Sequence, residues 1–452
     1  MCYNSYMRTV STYSKRISGY SRVFRETVAV YREALSYILC VCLAEWDSLS
    51  QVNGSKQRLT EVERLIHRTE KRPTVKYPDF DSKFYKLPNY LRRGAINKAI
   101  GMVSSYKSNL HNWENSDPVS RGEKPGFPQA GYCYPCMYRT DMYQEDGAYT
   151  ARIKVYIRNT WDWITVSLRK SDVDYILHHC KDRKESAPTL QKRGKRWYLD
   201  FAYEEETSLC DISDYRNTTI ASVDLGINNA ATVCIMNSDG TVVGREFLKL
   251  PKENDCLKHA VNRIKKAQQH GAHKTPRLWA FAKGINDDIA VKTAQFIIDT
   301  AVKYNADVIV MEHLDTSGKK RGSKKQRLHH WKANYVQSIV TQKAHRLGIH
   351  ISRVCAWGTS RLAYDGSGAV LRGKESERTH GNYSLCEFST GKIYHCDLNA
   401  SYNIGARYFV REIQKSLPER ERLRLEAKVP SACKRSTCTL STLISLNAVL
   451  AA

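Results

Sequence analysis

Residues 220–233 read IASVDLGINNAATV: an apolar run, one aspartate (Asp224), a glycine two positions later, and a second apolar run. Two further stretches have a related form. Residues 307–315, DVIVMEHLD, close an apolar run on Glu312, and residues 394–407, YHCDLNASYNIGAR, open a helical pattern at Asp397. Each acid alone has an ordinary reading, because Asp-Leu-Gly makes turns and a Glu after a strand caps helices. Their order adds information: strand then Asp, strand then Glu, helix opening on Asp is a sequence of elements that aims three carboxylates at one spot. Carboxylate oxygens are preferred ligands of hard cations such as Mg²⁺. Two such ions stabilise both the attacking and the leaving oxygen of a phosphodiester. The triad therefore predicts a metal-dependent phosphodiester hydrolase, with Gly226 letting the backbone turn sharply beside Asp224.

Working outward, residues 220–225, 231–236 and 241–248 read as consecutive strands, with Ser238-Asp239-Gly240 as the turn between the second and third. Helical patterns over 255–269 and 279–303 precede the strand at 307–311. A helix over 332–347, a strand over 350–354 and the helix through 410 follow. An α/β domain is predicted from about 217. Upstream, residues to about 18 alternate as a short strand. Phe24, Val28, Tyr31, Leu35, Ile38 and Cys42 then recur at helical spacing. Thr60 with Glu63 suggests a capping box for a second helix, and Ile96, Ala99, Val103, Tyr106, Leu110 and Trp113 mark a third. Residues 116–130 hold three prolines and two glycines and read as a linker, beyond which strand patterns over 151–157, 161–168 and 196–203 predict a small sheet or barrel.

The chain carries 71 Lys+Arg against 46 Asp+Glu, a formal charge of +25 over 452 residues, and this excess concentrates polyanions at the surface. The cations are spread along the chain and not gathered on one amphipathic helix, which argues against a membrane surface as partner. The longest apolar run, 34–44, is too short to span a bilayer, and the first residues do not read as a secretory signal. Fourteen cysteines without regular spacing fit reduced thiols, and the Cys133/Cys136 pair reads as two partly buried thiols. The expectation is a cytoplasmic, nucleoid-associated prokaryotic protein.

The stretches around Asp224, Glu312 and Asp397 resemble the three RuvC motifs of TnpB, the RNA-guided nuclease of insertion sequences, and of the related miniature type V CRISPR effectors. The resemblance is specific over roughly 217–410 and holds upstream in domain order only. It implies an α/β RNase H-like (RuvC) nuclease domain (216–352 and 397–420). It also implies a small β-barrel-like wedge domain (1–18 and 120–215) with an inserted helical recognition domain (19–119), a target-strand loading insertion (353–396) and a tail (421–452) that is disordered or a dimer contact. The implied partners are a guide RNA and target double-stranded DNA, with a homodimer left open and no membrane. The implied cofactor is Mg²⁺, two ions held by Asp224, Glu312 and Asp397 as the catalytic acids. In such a system base pairing reads sequence while the protein grips backbone and shape. A DNA-binding repressor that does not cut, and a DDE-type transposase, are the alternatives.

The chain departs from the family before its third motif, where a zinc ribbon with two CxxC pairs is usual. Here only Cys355, Cys386 and Cys396 occur, with His380 and His395 at hand, and the spacings match no ribbon. A metal-free or degenerate element is expected, so Zn²⁺ is not assumed. Candidate phosphate contacts are the loop cations Lys319, Lys320, Arg321, Lys324, Lys325 and Arg327, followed by His329, His330 and Trp331. A second stretch holds Arg263, Lys265, Lys266, His270, His273, Lys274 and Arg277, and the upstream half adds Arg92 and Arg93.

Overall fold

The computed structural model describes residues 6–118, 121–226, 229–314 and 332–452. The chain divides into two compact units, residues 10–205 and residues 1–9 with 206–452.

In the first unit, the helix Ser21–Ala44 lies along the helix Asn89–Glu114 and against the strand Thr150–Ile157. Its stripe of Phe24, Val28, Tyr31, Leu35, Ile38, Leu39 and Cys42 is buried, as the three- and four-residue spacing requires. The helices and the strands share one continuous core, from Ile17 through Val103 to Tyr203. Ser21–Ala44 is also the one helix among the described residues long and apolar enough to cross a bilayer, longer than the 34–44 run suggested. The second helix runs Ser55–Ile66. Thr60 does not cap it; its hydroxyl donates to the Lys56 carbonyl inside the helix. The expected barrel is two small sheets instead, one three-stranded and one four-stranded. The tight hairpin joining Thr150–Ile157 to Thr160–Ser167 places Arg158 and Asn159 at φ 50° and 61°, the geometry of a primed two-residue turn.

The second unit is built on a five-stranded sheet in the order Val242–Leu248, Ala231–Met236, Ile220–Asp224, Val308–His313, His350–Cys355. The first three strands pair antiparallel, and the last two run parallel to Ile220–Asp224. The central strands are apolar on both faces because both faces are covered. Helices Pro276–Lys303 and Ala333–Arg346 bury one face with Ala221, Val223, Ile309 and Met311. The helix Cys396–Ser416 buries the other with Ile220, Met236, Val308 and Val310. A Cβ on Gly405 of that helix would lie 3.1 Å from both Ser222 Oγ and Met236 Sδ, so the helix crosses the sheet at a distance glycine permits.

Between the last sheet strand and this helix, a three-stranded sheet (Leu371–Arg372, Leu385–Glu387, Ile393–His395) encloses Ala363, Val370, Cys386, Phe388 and Cys396. Tyr364 meets Phe388, Tyr394 and Tyr402 edge-on at 5.1–5.6 Å, so aromatic packing holds this small element together. The tail is neither disordered nor spread out. Helices Glu419–Lys428 and Leu440–Ala451 bury Leu425, Leu440, Leu443 and Leu446 in the core of the Cys396–Ser416 helix. The tail is charged and then Ser/Thr/Leu-rich, and its apolar positions have a ready partner surface on that helix.

Candidate active site

Period-two alternation decides which face each strand acid takes. Ile220, Ser222 and Asp224 share one face of their strand, and Val308, Val310 and Glu312 share one face of theirs. Ile220, Val308 and Val310 are buried against the Cys396–Ser416 helix. Both acids therefore emerge on the side this helix covers, at the carboxyl ends of adjacent parallel strands. They stand one step beyond the paired residues Val223 and Met311. Asp397 lies in the first turn of that helix, where the amide dipoles favour a negative charge.

The three acids are electrically coupled. Burial, then the Glu312 and Asp397 carboxylates, hold the Asp224 carboxyl well above its ordinary 3.8, against the opposing pull of Arg372. Asp224 is half-buried at the end of its strand. Burial also raises Glu312, opposed by the Thr359 hydroxyl and the Arg407 guanidinium.

Each of the other two acids has a neutral donor. Thr359 Oγ1 donates to Glu312 Oε1 at 2.5 Å, and Gln337 Nε2 donates to the Glu312 carbonyl at 2.8 Å. Asn229 Nδ2 donates to Asp397 Oδ2 at 2.6 Å and lies 3.4 Å from His395 Nε2. Asn229 reaches this place because the chain folds back after Asp224; a Cβ on Gly226 would meet the Asn229 carbonyl at 2.6 Å. Arg407 is buried and donates to the carbonyls of Cys355, Trp357, Ser436 and Cys438 at 2.6–3.1 Å. Among the described residues no carboxylate bonds it, and its charge acts on Glu312. Asn399 and Asn403, one helical turn apart, clamp the segment 359–364 through the Thr359 and Leu362 carbonyls and the Tyr364 amide.

Among the described residues, no three His, Cys, Asp or Glu side chains converge as a bound ion requires. Two carboxylates on adjacent strands, taken as about 5.5 Å apart, repel by about 3 kcal/mol at an effective dielectric of ~20. Glu312 and Asp397 accordingly satisfy themselves on Thr359 and Asn229. The set still suits a hard divalent cation, since it is anionic, offers oxygen ligands and gains from having its repulsion relieved. The thiols are placed differently. Cys386 and Cys396 share a thiol–thiol hydrogen bond that, as its largest cause, lowers Cys396 and raises Cys386, whereas Cys355 is exposed at the end of its strand.

Sequence reading missed Asn229, Thr359, Gln337, Arg372 and Arg407. Asn229 and Arg407 lie inside the quoted motifs, where a polar residue within an apolar run is the available signal. Thr359 carried none.

A sequence profile of the Aq_aa04 family matches residues 9–157. The uncharacterized protein aq_aa04 of Aquifex aeolicus (strain VF5) is 31% identical over 141 residues, covering 31% of this chain and 74% of that protein. This chain belongs to the Aq_aa04 family. The profile that defines the Aq_aa04 family thus falls on the amino-terminal third and leaves the acid-bearing sheet outside it. Among solved structures, this Aq_aa04-family chain is similar to the cryo-EM structure of the Cas12f1-sgRNA-target DNA complex. That match has a TM-score of 0.52 at 14% identity and covers 84% of this chain and 81% of that one. The cryo-EM structure of CasPhi-2 (Cas12j) bound to crRNA and phosphorothioate-DNA matches with TM-score 0.47 at 9% identity, covering 88% and 91%. The likeness to Cas12f1 is one of fold.

The candidate phosphate contacts divide three ways. Arg92 is 8% exposed and donates to Glu63 at 2.9 Å and to Asn89 at 3.0 Å, so it is a buried helix tie and not a nucleic-acid contact. Its spacing within the 89–114 helix turns it inward, which a count of basic residues does not show. Arg93 is more open and lies 3.9 Å from the same Glu63. Arg263, Lys265 and Lys266 are exposed on the helix Pro251–Gln269, with no ion pair among the described residues. Lys319, Lys320, Arg321, Lys324, Lys325 and Arg327 lie outside the described residues.

Proposed function

We propose that this chain is an RNA-guided DNA endonuclease of the TnpB or miniature type V kind, cutting with Asp224, Glu312 and Asp397. The observation that carries the reading is the placement of three acids from separate elements, Asp224 and Glu312 at the ends of adjacent parallel strands and Asp397 in the first turn of the covering helix, where burial and then the other two carboxylates make the Asp224 anion unfavourable. The +25 charge supports a polyanionic partner, and the Cas12f1 complex, whose fold this chain shares, holds an sgRNA and target DNA. Asp224, Glu312 and Asp397 would hold Mg²⁺, which would supply water activation and charge stabilisation at the departing 3′ oxygen. The chain's own residues would hold and orient. Asp224 and Asp397 would be the principal ligands and Glu312 would complete the set. Asn229 and Thr359 fix the Asp397 and Glu312 carboxylates, and Arg407 sets the potential at Glu312 while tying down the loop that carries Thr359.

The test is cleavage of a matched supercoiled DNA with Mg²⁺, with and without guide RNA. Guided cutting that disappears in Asp224→Ala and Glu312→Ala, while guide binding persists, is the expected result. Normal cutting by Asp224→Ala would remove that residue from the chemistry. Guided binding without cutting is a second reading, favoured by the neutral partners that Glu312 and Asp397 already have. The same assay separates it.

A further inference from the structure

Two residues before Thr359, the hydrogen-bond partner of Glu312, the chain carries a large exposed aromatic side chain. Trp357 is 77% exposed, whereas Thr359, two residues on, is 3% exposed and bonded to Glu312. Gly358 between them has φ +73°, and this left-handed step turns one side chain out and the other in. The backbone here is not loose. Arg407 donates to the Cys355 and Trp357 carbonyls and Asn403 to the Thr359 carbonyl, so a rigid loop holds the indole out in water. An exposed tryptophan on an anchored backbone loses little on binding, because its freedom is already restricted.

The neighbouring strand of chain supplies charge. Arg407 also donates to the Ser436 carbonyl, which lies 3.5 Å from where a Cβ on Gly358 would sit. That contact brings Lys434 and Arg435, both exposed and without an ion-pair partner among the described residues, beside the Trp357 loop. One π-face and two cations without an ion-pair partner among the described residues, on and beside the loop whose Thr359 bonds Glu312, match a base and its flanking phosphates.

We infer that Trp357, Lys434 and Arg435 form a platform for single-stranded nucleic acid, with Trp357 a positioning residue that stacks one base and sets the strand against Glu312. The inference rests on the nuclease reading for its purpose and on the exposed, anchored indole for its content.

The full-length chain is titrated with labelled oligothymidylate by fluorescence anisotropy. Trp357→Ala should bind about 5- to 100-fold more weakly, and Trp357→Phe should recover most of the loss. The Lys434→Gln/Arg435→Gln double variant should lower the slope of log affinity against log salt by about 1.4, two single-strand phosphates' worth. Irradiation with a 5-iodouracil oligonucleotide should give an adduct on the Trp357 peptide, found by mass spectrometry. Equal binding by parent and Trp357→Ala overturns the platform, as do adducts that spare Trp357. None of these readouts needs cutting. Stacking without guided cleavage would sink the nuclease reading alone, and guided cleavage with unaltered Trp357→Ala binding would sink the platform alone.

Discussion

Replacing Asp224 with Asn keeps the shape of the side chain and removes the charge that its neighbours oppose. In the absence of metal the substitution should stabilise the protein. Asp224 and Glu312 end adjacent parallel strands, so their repulsion is about 3 kcal/mol at an effective dielectric of ~20, and burial of the anion adds to it. Partial protonation caps the cost, which leaves a gain of about 1–3 kcal/mol for the amide. For a unit of this size that corresponds to a rise of about 3–10 °C in Tm. The pH dependence follows from the direction of the shift. A carboxyl raised above 3.8 on folding binds its proton more tightly in the native state, so the parent is favoured below that value and loses stability as pH rises through the raised folded value. The advantage of Asp224→Asn should therefore be largest at about pH 8 and shrink as pH falls below 3.8, where Asp224 becomes protonated in both states. Scanning calorimetry in chelator at both ends of this range measures it. An Asn variant that melts at or below the parent at the alkaline end would refute the coupled-acid account. Added Mg²⁺ should reverse the ranking, because only the parent gains RT ln(1 + [Mg²⁺]/Kd).

Three other outcomes are expected. Arg407→Met should cost about 2–4 kcal/mol in denaturant unfolding, since it strands one buried and three partly buried carbonyls that the guanidinium now serves. Thr359→Val removes the bond that favours the Glu312 anion, so the acidic limb of the guided cleavage profile should move to higher pH; an unmoved limb would separate Thr359 from the chemistry. Leu443→Ala, in the buried tail helix, should cost about 2–4 kcal/mol, and an unchanged midpoint would show that this helix does not contribute to the core.

Much of the acid-bearing sheet was legible because its information is local. Short apolar runs rich in β-branched residues and bounded by turn signals read as strands covered on both sides, and a period of two puts Asp224 with Ile220 and Glu312 with Val308 without reference to anything distant. The helix opening at Asp397 is read the same way, from its spacing. Other features depend on residues far apart in the chain. Thr359 finds Glu312 across 47 positions and Asn229 finds Asp397 across 168, and no local pattern encodes such a meeting. Arg92 counts as one more cation in composition, yet its place on a helix turns it to Glu63 and out of any phosphate's reach. The tail reads as charged and then Ser/Thr/Leu-rich, and only the apolar flank of the Cys396–Ser416 helix makes it fold. The sequence by itself determined which side of the sheet the acids take, since side-chain alternation follows from backbone stereochemistry. The tertiary structure decided which neutral partners hold them and how far their charges are buried, because hydrogen bonding and desolvation depend on what the folded chain brings alongside.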